Sequence, residues 1–240
     1  MSLLDWIYPP KCISCQIIFP PRHNALRQWP GRWLCNNCLP LFIPIEEPFC
    51  IRCGCPKTSG NCAACHGKFF HFKSHRAAFV YDGVVLDLIH HMKFRSKRQC
   101  AEGLGHLLAE IARDWPIDAD YIVPIPLHPA KKRVRGFNQA AVLAQPLSKA
   151  LGIPIAEDIL KRVRKTAAQS GLSPVSREQN ISGAFALGRK DSTDRKILLV
   201  DDIFTSGATM NACAKILQNA AEVSCISLSI AAKDFIKFEN

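Results

Sequence analysis

Between Lys196 and Thr209 the chain reads KILLVDDIFTSGAT, and its character changes halfway along. Adjacent carboxylates, Asp201 and Asp202, follow an apolar run, and hydroxyls follow them at Thr205, Ser206 and Thr209, with Gly207 among them. The apolar part, Ile197 to Val200, reads as a buried strand. A buried carboxylate without a partner is costly, so the acidic pair is expected where that strand leaves the sheet. The segment from Thr205 to Thr209 offers backbone N–H groups and hydroxyls at the start of a helix. A helix start carries orphan donors and a partial positive charge, which suits a monophosphate. Gly207 lets the backbone approach such a ligand closely. Two carboxylates would repel phosphate but can accept hydrogen bonds from neighbouring sugar hydroxyls, so the stretch reads as a seat for a phosphorylated sugar. The plain alternative is an ordinary helix cap at Ser206 or Thr205. The glycine spacing and lysine of a P-loop are missing.

A second chemistry lies at the other end of the chain. Nine of the twelve cysteines precede residue 66, and eight of them form four CxxC knuckles: Cys12/Cys15, Cys35/Cys38, Cys50/Cys53 and Cys62/Cys65. The two-residue spacing lets both sulfurs of a knuckle reach one ion from a tight turn, and eight thiolates suffice for two tetrahedral Zn2+ sites. Pairing in sequence order gives one site from the first two knuckles and one from the last two. Interleaving stays open, with Cys55 and His66 as competing ligands. The start of the chain lacks a secretory pattern, so a cytoplasmic location and metal rather than disulfides are expected. No apolar run approaches a membrane span, and no membrane insertion is expected. Cys100, Cys213 and Cys225 read as small buried hydrophobes.

The 240 residues carry a net charge of +11, which falls as +5 on residues 1–75, +6 on 76–170 and zero on 171–240. In the middle segment 12 of 15 cationic residues lie in three clusters: Lys93, Arg95, Lys97, Arg98; Lys131, Lys132, Arg133, Arg135; and Lys161, Arg162, Arg164, Lys165. Each alone reads as solvated surface. Together they favour an anionic partner, either nucleic acid or a phosphorylated substrate. Trp29, Trp33, Phe69, Phe70 and Phe72 are aromatics that could stack on bases.

The elements that must position these groups begin at Ala77. Helices are expected over VVLDLIHHMKF after Asp82-Gly83, over LGHLLAEIAR, over NQAAVLAQPLSKAL with a kink at Pro146, and over ATMNACAKILQ. Strands are expected at YIVPIP, at ILLV and at VSCISLSIA. This alternation predicts an α/β fold, a largely parallel sheet with helices on both faces. Residues 1–72, poor in periodicity, form a small irregular metal-stabilised domain and 73–240 the α/β domain, with the boundary near 68–75.

The DD-x-x-T-S-G-x-T stretch resembles the signature of type I phosphoribosyltransferases. With VPIPLHPAKKRVRGFNQA (123–140) and QSGLSPVSREQNISGAF (169–185), nearly the whole chain resembles the competence protein F family, also called ComFC, and the related GntX proteins. That resemblance implies a double zinc ribbon followed by a phosphoribosyltransferase-like domain that binds phosphoribosyl pyrophosphate (PRPP). It implies that Asp201 and Asp202 hold the ribose hydroxyls. Thr205, Ser206, Gly207, Ala208 and Thr209 would wrap the 5-phosphate. The turn Ile125, Pro126, Leu127, His128 would cradle the pyrophosphate with Mg2+, and Arg135 would touch it from a mobile loop continuing to Gln139. His128 fits a turn-closing role better than that of a general base, and Lys93 and Arg177 fall near the cleft. The family points to handling of incoming single-stranded DNA in natural transformation, with the three basic clusters on the strand. An active transferase with an unidentified acceptor, and a PRPP-sensing adaptor for a helicase or import machinery, are the alternatives.

Overall fold

The computed structural model describes residues 9, 11–19, 33–56, 62–166, 174–188, 193–220 and 222–231. Trp29 and the side chain of Arg177 lie outside the described residues. In chain order the elements are β1 (Ser74–Val80), α1 (Gly83–Phe94), α2 (Arg98–Ala112), β2 (Tyr121–Pro124), α3 (Pro129–Arg135) and α4 (Gln139–Leu151). They continue with β3 (Leu160–Arg162), α5 (Pro174–Ile181), β4 (Phe185–Leu187), β5 (Lys196–Phe204), α6 (Ala208–Ile216) and β6 (Glu222–Ile230). The main sheet has the order β1-β6-β5-β2, and every neighbouring pair in it is parallel. Strands β3 and β4 form a separate antiparallel pair.

Alternation along β5 sends its apolar residues to both faces, as a strand buried on two sides requires. Leu198 and Val200 share one core with Leu88, Leu104, Leu108 and Leu143 from α1, α2 and α4. Ile197 and Leu199 share the other with Met210 and Cys213 of α6 and with Leu160 and Phe185 of the small sheet. The cysteine-rich segment is divided between these cores: Cys12, Cys35 and Cys38 join the first, and Cys50, Cys53, Cys55 and Cys65 the second. Cys100, Cys213 and Cys225 are buried as expected.

Local chemistry sets the helix ends. Asp82 caps α1 by accepting the Gly83 N–H at 2.9 Å. Asn138 caps α4 through the Ala140 N–H, and Gly152 closes that helix in the left-handed region at φ 69°. Pro146 does not interrupt α4, which runs on to Leu151. Among the described residues no helix is long and apolar enough to cross a membrane.

One expectation needs correction. The strand predicted to stop at Val200 continues to Phe204, carrying both acids inside it. Its partner β6 runs alongside to the same end, pairing Asp201 with Ser227 and Phe204 with Ile230. On the other side β2 ends opposite Val200. Strand β5 therefore emerges from the sheet on one edge only, and Asp201 to Phe204 border the opening this leaves. Backbone pairing with β6 does not depend on side-chain polarity, so a break in the apolar run was a poor guide to the strand's end.

Helices α2 and α4 cross closely at Gly105, where a Cβ would lie 3.1 Å from both the Cα and the carbonyl oxygen of Leu143. Backbone cannot yield there as a side-chain tip can. Replacing Gly105 by Val should cost about 1–3 kcal/mol through overpacking. Urea denaturation should show this as a lower midpoint at an unchanged slope.

Candidate functional site

The opening beside β5 lies at the carboxyl edge of a parallel sheet, where open α/β folds collect ligands. The pleat separates the two acids. Asp202, 3% exposed, turns toward α1, and the Lys93 ammonium lies 2.8 Å from its Oδ2. That same oxygen is sealed from water and has no aligned hydrogen-bond donor, so its charge is balanced by the Lys93 ammonium alone. Asp201 is half-buried, accepts the Asp202 N–H at 2.9 Å through Oδ1, and its charge is felt by Arg162 and by the buried Cys213 thiol on the opposite face. Burial, with the neighbouring Asp202 carboxylate, holds the Asp201 carboxyl well above the usual carboxylate range. Asp201 is thus poised to keep its proton near neutral pH.

Three basic clusters that lie far apart in sequence meet around these acids. Lys93 comes from the last turn of α1, Lys131 and Arg135 from α3, Arg162 from β3, and Lys165 from the segment after it. Lys131 is pushed down by burial and by the fields of Arg162, Arg135, Lys165 and Lys93. Arg135, also half-buried, feels Asp202 and Asp201. Its guanidinium is aimed by two acceptors, the Lys93 carbonyl at 3.1 Å and Gln139 Oε1. Lys93, Lys131 and Arg162, counted among the nucleic-acid candidates, are therefore placed with the acidic pair, while Lys165, exposed, acts on Lys131 from the rim. The other members point outward: Arg95, Lys97, Arg98, Lys132, Arg133, Lys161 and Arg164 are all exposed. Of these, Arg98 pairs with Glu102 and Arg164 donates to the carbonyls of Asn180 and Ser182.

The turn after β2 is tied down at both ends. The Ile125 N–H donates to the Val200 carbonyl at 2.9 Å, and Asn138 Nδ2 donates to the Ile125 carbonyl at 3.1 Å. Pro126 and Leu127 follow, and His128 caps α3, its Nδ1 accepting the Ala130 N–H at 3.2 Å. With Nδ1 occupied as an acceptor, the neutral ring carries its proton on Nε2, which can donate but not accept. This favours the turn-closing reading over a base.

At the phosphate-loop candidate the N-cap of α6 is Gly207, at φ 82°, with no side-chain cap. The ordinary cap at Thr205 or Ser206 is thereby replaced by a long 3.4 Å contact from the Ala208 N–H to Ser206 Oγ. Thr205 is exposed, Ser206, Gly207 and Ala208 are buried, and Thr209 is intermediate. Gly207 is needed for a reason that the sequence did not reveal. A Cβ there would stand 2.8 Å from Phe204 Cζ and 2.9 Å from Phe70 Cε1. Of the described aromatics proposed for stacking, Phe72 is 5% exposed, Phe70 is half-buried, Trp33 lies on His106, and Phe69 is 73% exposed. Phe94, equally exposed within the first basic cluster, gives no separate signal in the sequence because its position continues the apolar pattern of α1.

The eight knuckle cysteines assemble into two groups in sequence order, Cys12/Cys15/Cys35/Cys38 and Cys50/Cys53/Cys62/Cys65, with the sulfurs of each group within 4.8 Å of one another. Cys55 and His66 stand outside both groups. Contacts between knuckles measure 3.6 Å for Cys15–Cys35, 3.7 Å for Cys50–Cys65 and 3.5 Å for Cys53–Cys62. A tetrahedron with Zn–S bonds of ~2.3 Å has S–S edges of ~3.8 Å, so each group fits one such ion. The crowded thiols perturb one another: Cys35 is lowered to about 7 while Cys38 is pushed up to about 12, chiefly by burial. Four thiolates in one group therefore call for a cation.

The family described as phosphoribosyl transferase domain matches residues 96–233. The competence protein F of Haemophilus influenzae is 37% identical over 217 residues, 87% of this chain and 90% of that protein. The DNA utilization protein YhgH of Escherichia coli K12 is 30% identical over 82% of this chain and 91% of its own length. A glutamine PRPP amidotransferase from B. subtilis superposes with a TM-score of 0.38 at 22% identity, over 54% of this chain and 26% of that one. With a parallel sheet flanked by helices, a matching phosphoribosyl transferase domain and two four-cysteine groups ahead of it, the chain belongs to the competence protein F family.

Proposed function

We propose that the cleft binds PRPP with Mg2+, that both four-cysteine groups hold Zn2+, and that the protein handles single-stranded DNA during natural transformation. The observation that carries the reading is the gathering of Lys93, Lys131, Arg135 and Arg162 around Asp201 and Asp202, next to a helix start capped only by Gly207. In this reading the N–H groups and hydroxyls of 205–209 take the 5-phosphate. Asp202 and Asp201 take the ribose hydroxyls. The cations face the pyrophosphate above the turn 125–128, where Arg135 can offer two donors to neighbouring oxygens. Mg2+ would offset charge on the phosphates. The DNA role draws on the names of the relatives, a competence protein and a DNA utilization protein. It also fits the outward cations, interleaved with Phe94, Val134 and Val163 at 73%, 87% and 59% exposure. Aromatic and basic groups side by side suit a strand's bases and backbone without sequence preference.

Calorimetric titration of PRPP and Mg2+ into the full chain tests the ligand. Losing hydrogen bonds to a charged acceptor is worth about 1.5–3 kcal/mol, so Asp202→Asn should weaken binding roughly 10- to 150-fold. Equal affinity in the two proteins rejects the ribose assignment, and pyrophosphate released onto any added acceptor would add transfer to binding.

The Asp201 carboxyl lies above its ordinary value of 3.8 in the folded protein. As pH rises past that value the unfolded chain releases the proton first, so this group's contribution to stability is present at low pH and lost as pH climbs toward the folded pKa. Chemical denaturation from pH 4 to 8 should therefore show wild type losing stability relative to Asp201→Asn. A pH-independent difference would place Asp201 in the ordinary carboxylate range.

Charge reversal at the exposed Arg95, Lys97, Lys132 and Arg133 should weaken oligonucleotide binding. It should also flatten the dependence of log K on log salt by about 0.7 for each phosphate no longer neutralised. An unchanged slope excludes these four from the strand's path.

A further inference from the structure

We propose that the second four-cysteine site is a brace for the phosphate loop, so that metal at Cys50/Cys53/Cys62/Cys65, and not at Cys12/Cys15/Cys35/Cys38, sets the affinity of that loop for its ligand. Phe70, His75 and Asn211 are the positioning residues. The proposal rests on the reading of 205–209 as a phosphate seat.

Two routes lead from the second site to Gly207. One leaves Cys53. Its carbonyl accepts from His75 Nδ1 at 2.7 Å, and His75 Nε2 lies 3.0 Å from Ser227 Oγ on β6. A carbonyl can only accept, so Nδ1 of the buried ring carries a proton, while the Ser227 hydroxyl beside Nε2 is itself fixed by donating to the Ser229 carbonyl at 2.9 Å. The imidazole lies face to face with Phe204, centroids 3.9 Å apart at 21°, and the far edge of Phe204 meets Gly207. Two rings thus span the distance from a metal ligand's own residue to the loop.

The other route leaves Cys65. Three residues on, Arg52 of the third knuckle donates to the Lys68 carbonyl at 2.6 Å, tying the two knuckles together. Beyond it Asn211, in the first turn of α6, grips the same strand of chain. Its Oδ1 accepts the His71 N–H at 2.6 Å and its Nδ2 donates to the Phe69 carbonyl at 3.2 Å. Between these bonds Phe70 stacks on Phe72 and stands against Gly207. The first site is anchored elsewhere. Ile13 and Trp33 close on Gly103 of α2, and Trp33 stacks on His106 of the same helix.

Residues 50–56 and 62–73 contain no helix or strand. With few backbone bonds of its own, this segment depends on metal cross-linking for its shape. Without the metal, the carbonyl that holds His75 and the chain that carries Phe70 are both released, and Gly207 at φ 82° loses its walls. A loop that is only fractionally in its binding conformation loses affinity by that fraction. By linkage, a bound phosphate ligand must retain metal at this site by the same factor.

The test uses the full zinc-loaded chain and compares Cys62→Ser with Cys15→Ser. Hydrogen exchange at the amides of 204–211 needs no ligand, and PRPP titration reads affinity separately. Cys62→Ser should speed exchange there and weaken PRPP by roughly 5- to 150-fold, the usual span of coupling between sites, while Cys15→Ser leaves both near wild type. Phe70→Ala should do the same with metal content unchanged, and Phe70→Tyr, which keeps the ring, should restore both. PRPP should slow chelator extraction from the second site only. Loop exchange that responds to neither cysteine variant, or equally to both, overturns the brace. Faster exchange in Cys62→Ser with no PRPP binding by wild type supports the brace and overturns the ligand reading.

Discussion

Asp202 sits inside β5 with one oxygen sealed from water, and a charge in that position has to be balanced by groups reaching it from other parts of the chain. Lys93 does so from the last turn of α1, which fixes where that helix must end relative to the sheet. The carbonyl of Lys93 in turn aims Arg135, so the junction between α3 and α4 is drawn to the same point. Asp201, on the opposite face, sets Arg162 and the β3–β4 pair over the other side of the opening. The layers of the fold are positioned by hydrophobic burial, but their ends are registered by this small electrostatic cluster. A one-residue slip of β5 would exchange the faces of the two acids and undo both sets of contacts.

The cysteine groups solve a different problem with the same economy. A segment with so little helix or strand cannot build a core of its own. Each group instead contributes its buried sulfurs to one of the two cores that flank the sheet. The cysteine groups and the hydrophobic packing are continuous here, which is why the second group can lie only two rings from the loop 205–209.

How much of this could be read from sequence follows from how local each signal is. Helices α1, α2, α4 and α6 and strands β2, β5 and β6 announce themselves by periodicity. Strand β1 does not, because SHRAAFV carries His75 and Arg76 where an apolar pattern would be expected: His75 is buried for its bonds to Cys53 and Ser227, and Arg76 lies between Phe49 and Trp115. Strands β3 and β4, three residues each, are too short to show a period. Helix α3 buries none of its residues and so carries no stripe. The acidic pair and the hydroxyl loop were legible because all their parts lie within one short stretch. The convergence of three basic clusters was not, since it depends on the crossing of four elements. Nor were the aromatic walls of Gly207, one of which comes from 137 residues upstream at Phe70.

The charge balance of the cleft also constrains how its two proposed ligands can be related. Four cations, Lys93, Lys131, Arg135 and Arg162, face two carboxylates, so the local sum is 4 − 2 = +2 with both acids ionised, and one more if Asp201 keeps its proton. Like charges held this close repel one another, and a polyanion relieves that strain. The exposed cations of the same clusters lie only a few residues along the chain from those lining the cleft. That is comparable with the screening length of about 8 Å at physiological salt. A DNA backbone on the outer cations and PRPP on the inner ones would therefore draw on one field. Electrostatics alone makes each weaken the other, increasingly so as salt is lowered. Any mutual strengthening would have to come from geometry, through an element that both ligands order. The segment carrying Lys131 and Arg135 is placed for that role, since it presents Lys132 and Arg133 outward and its partners inward.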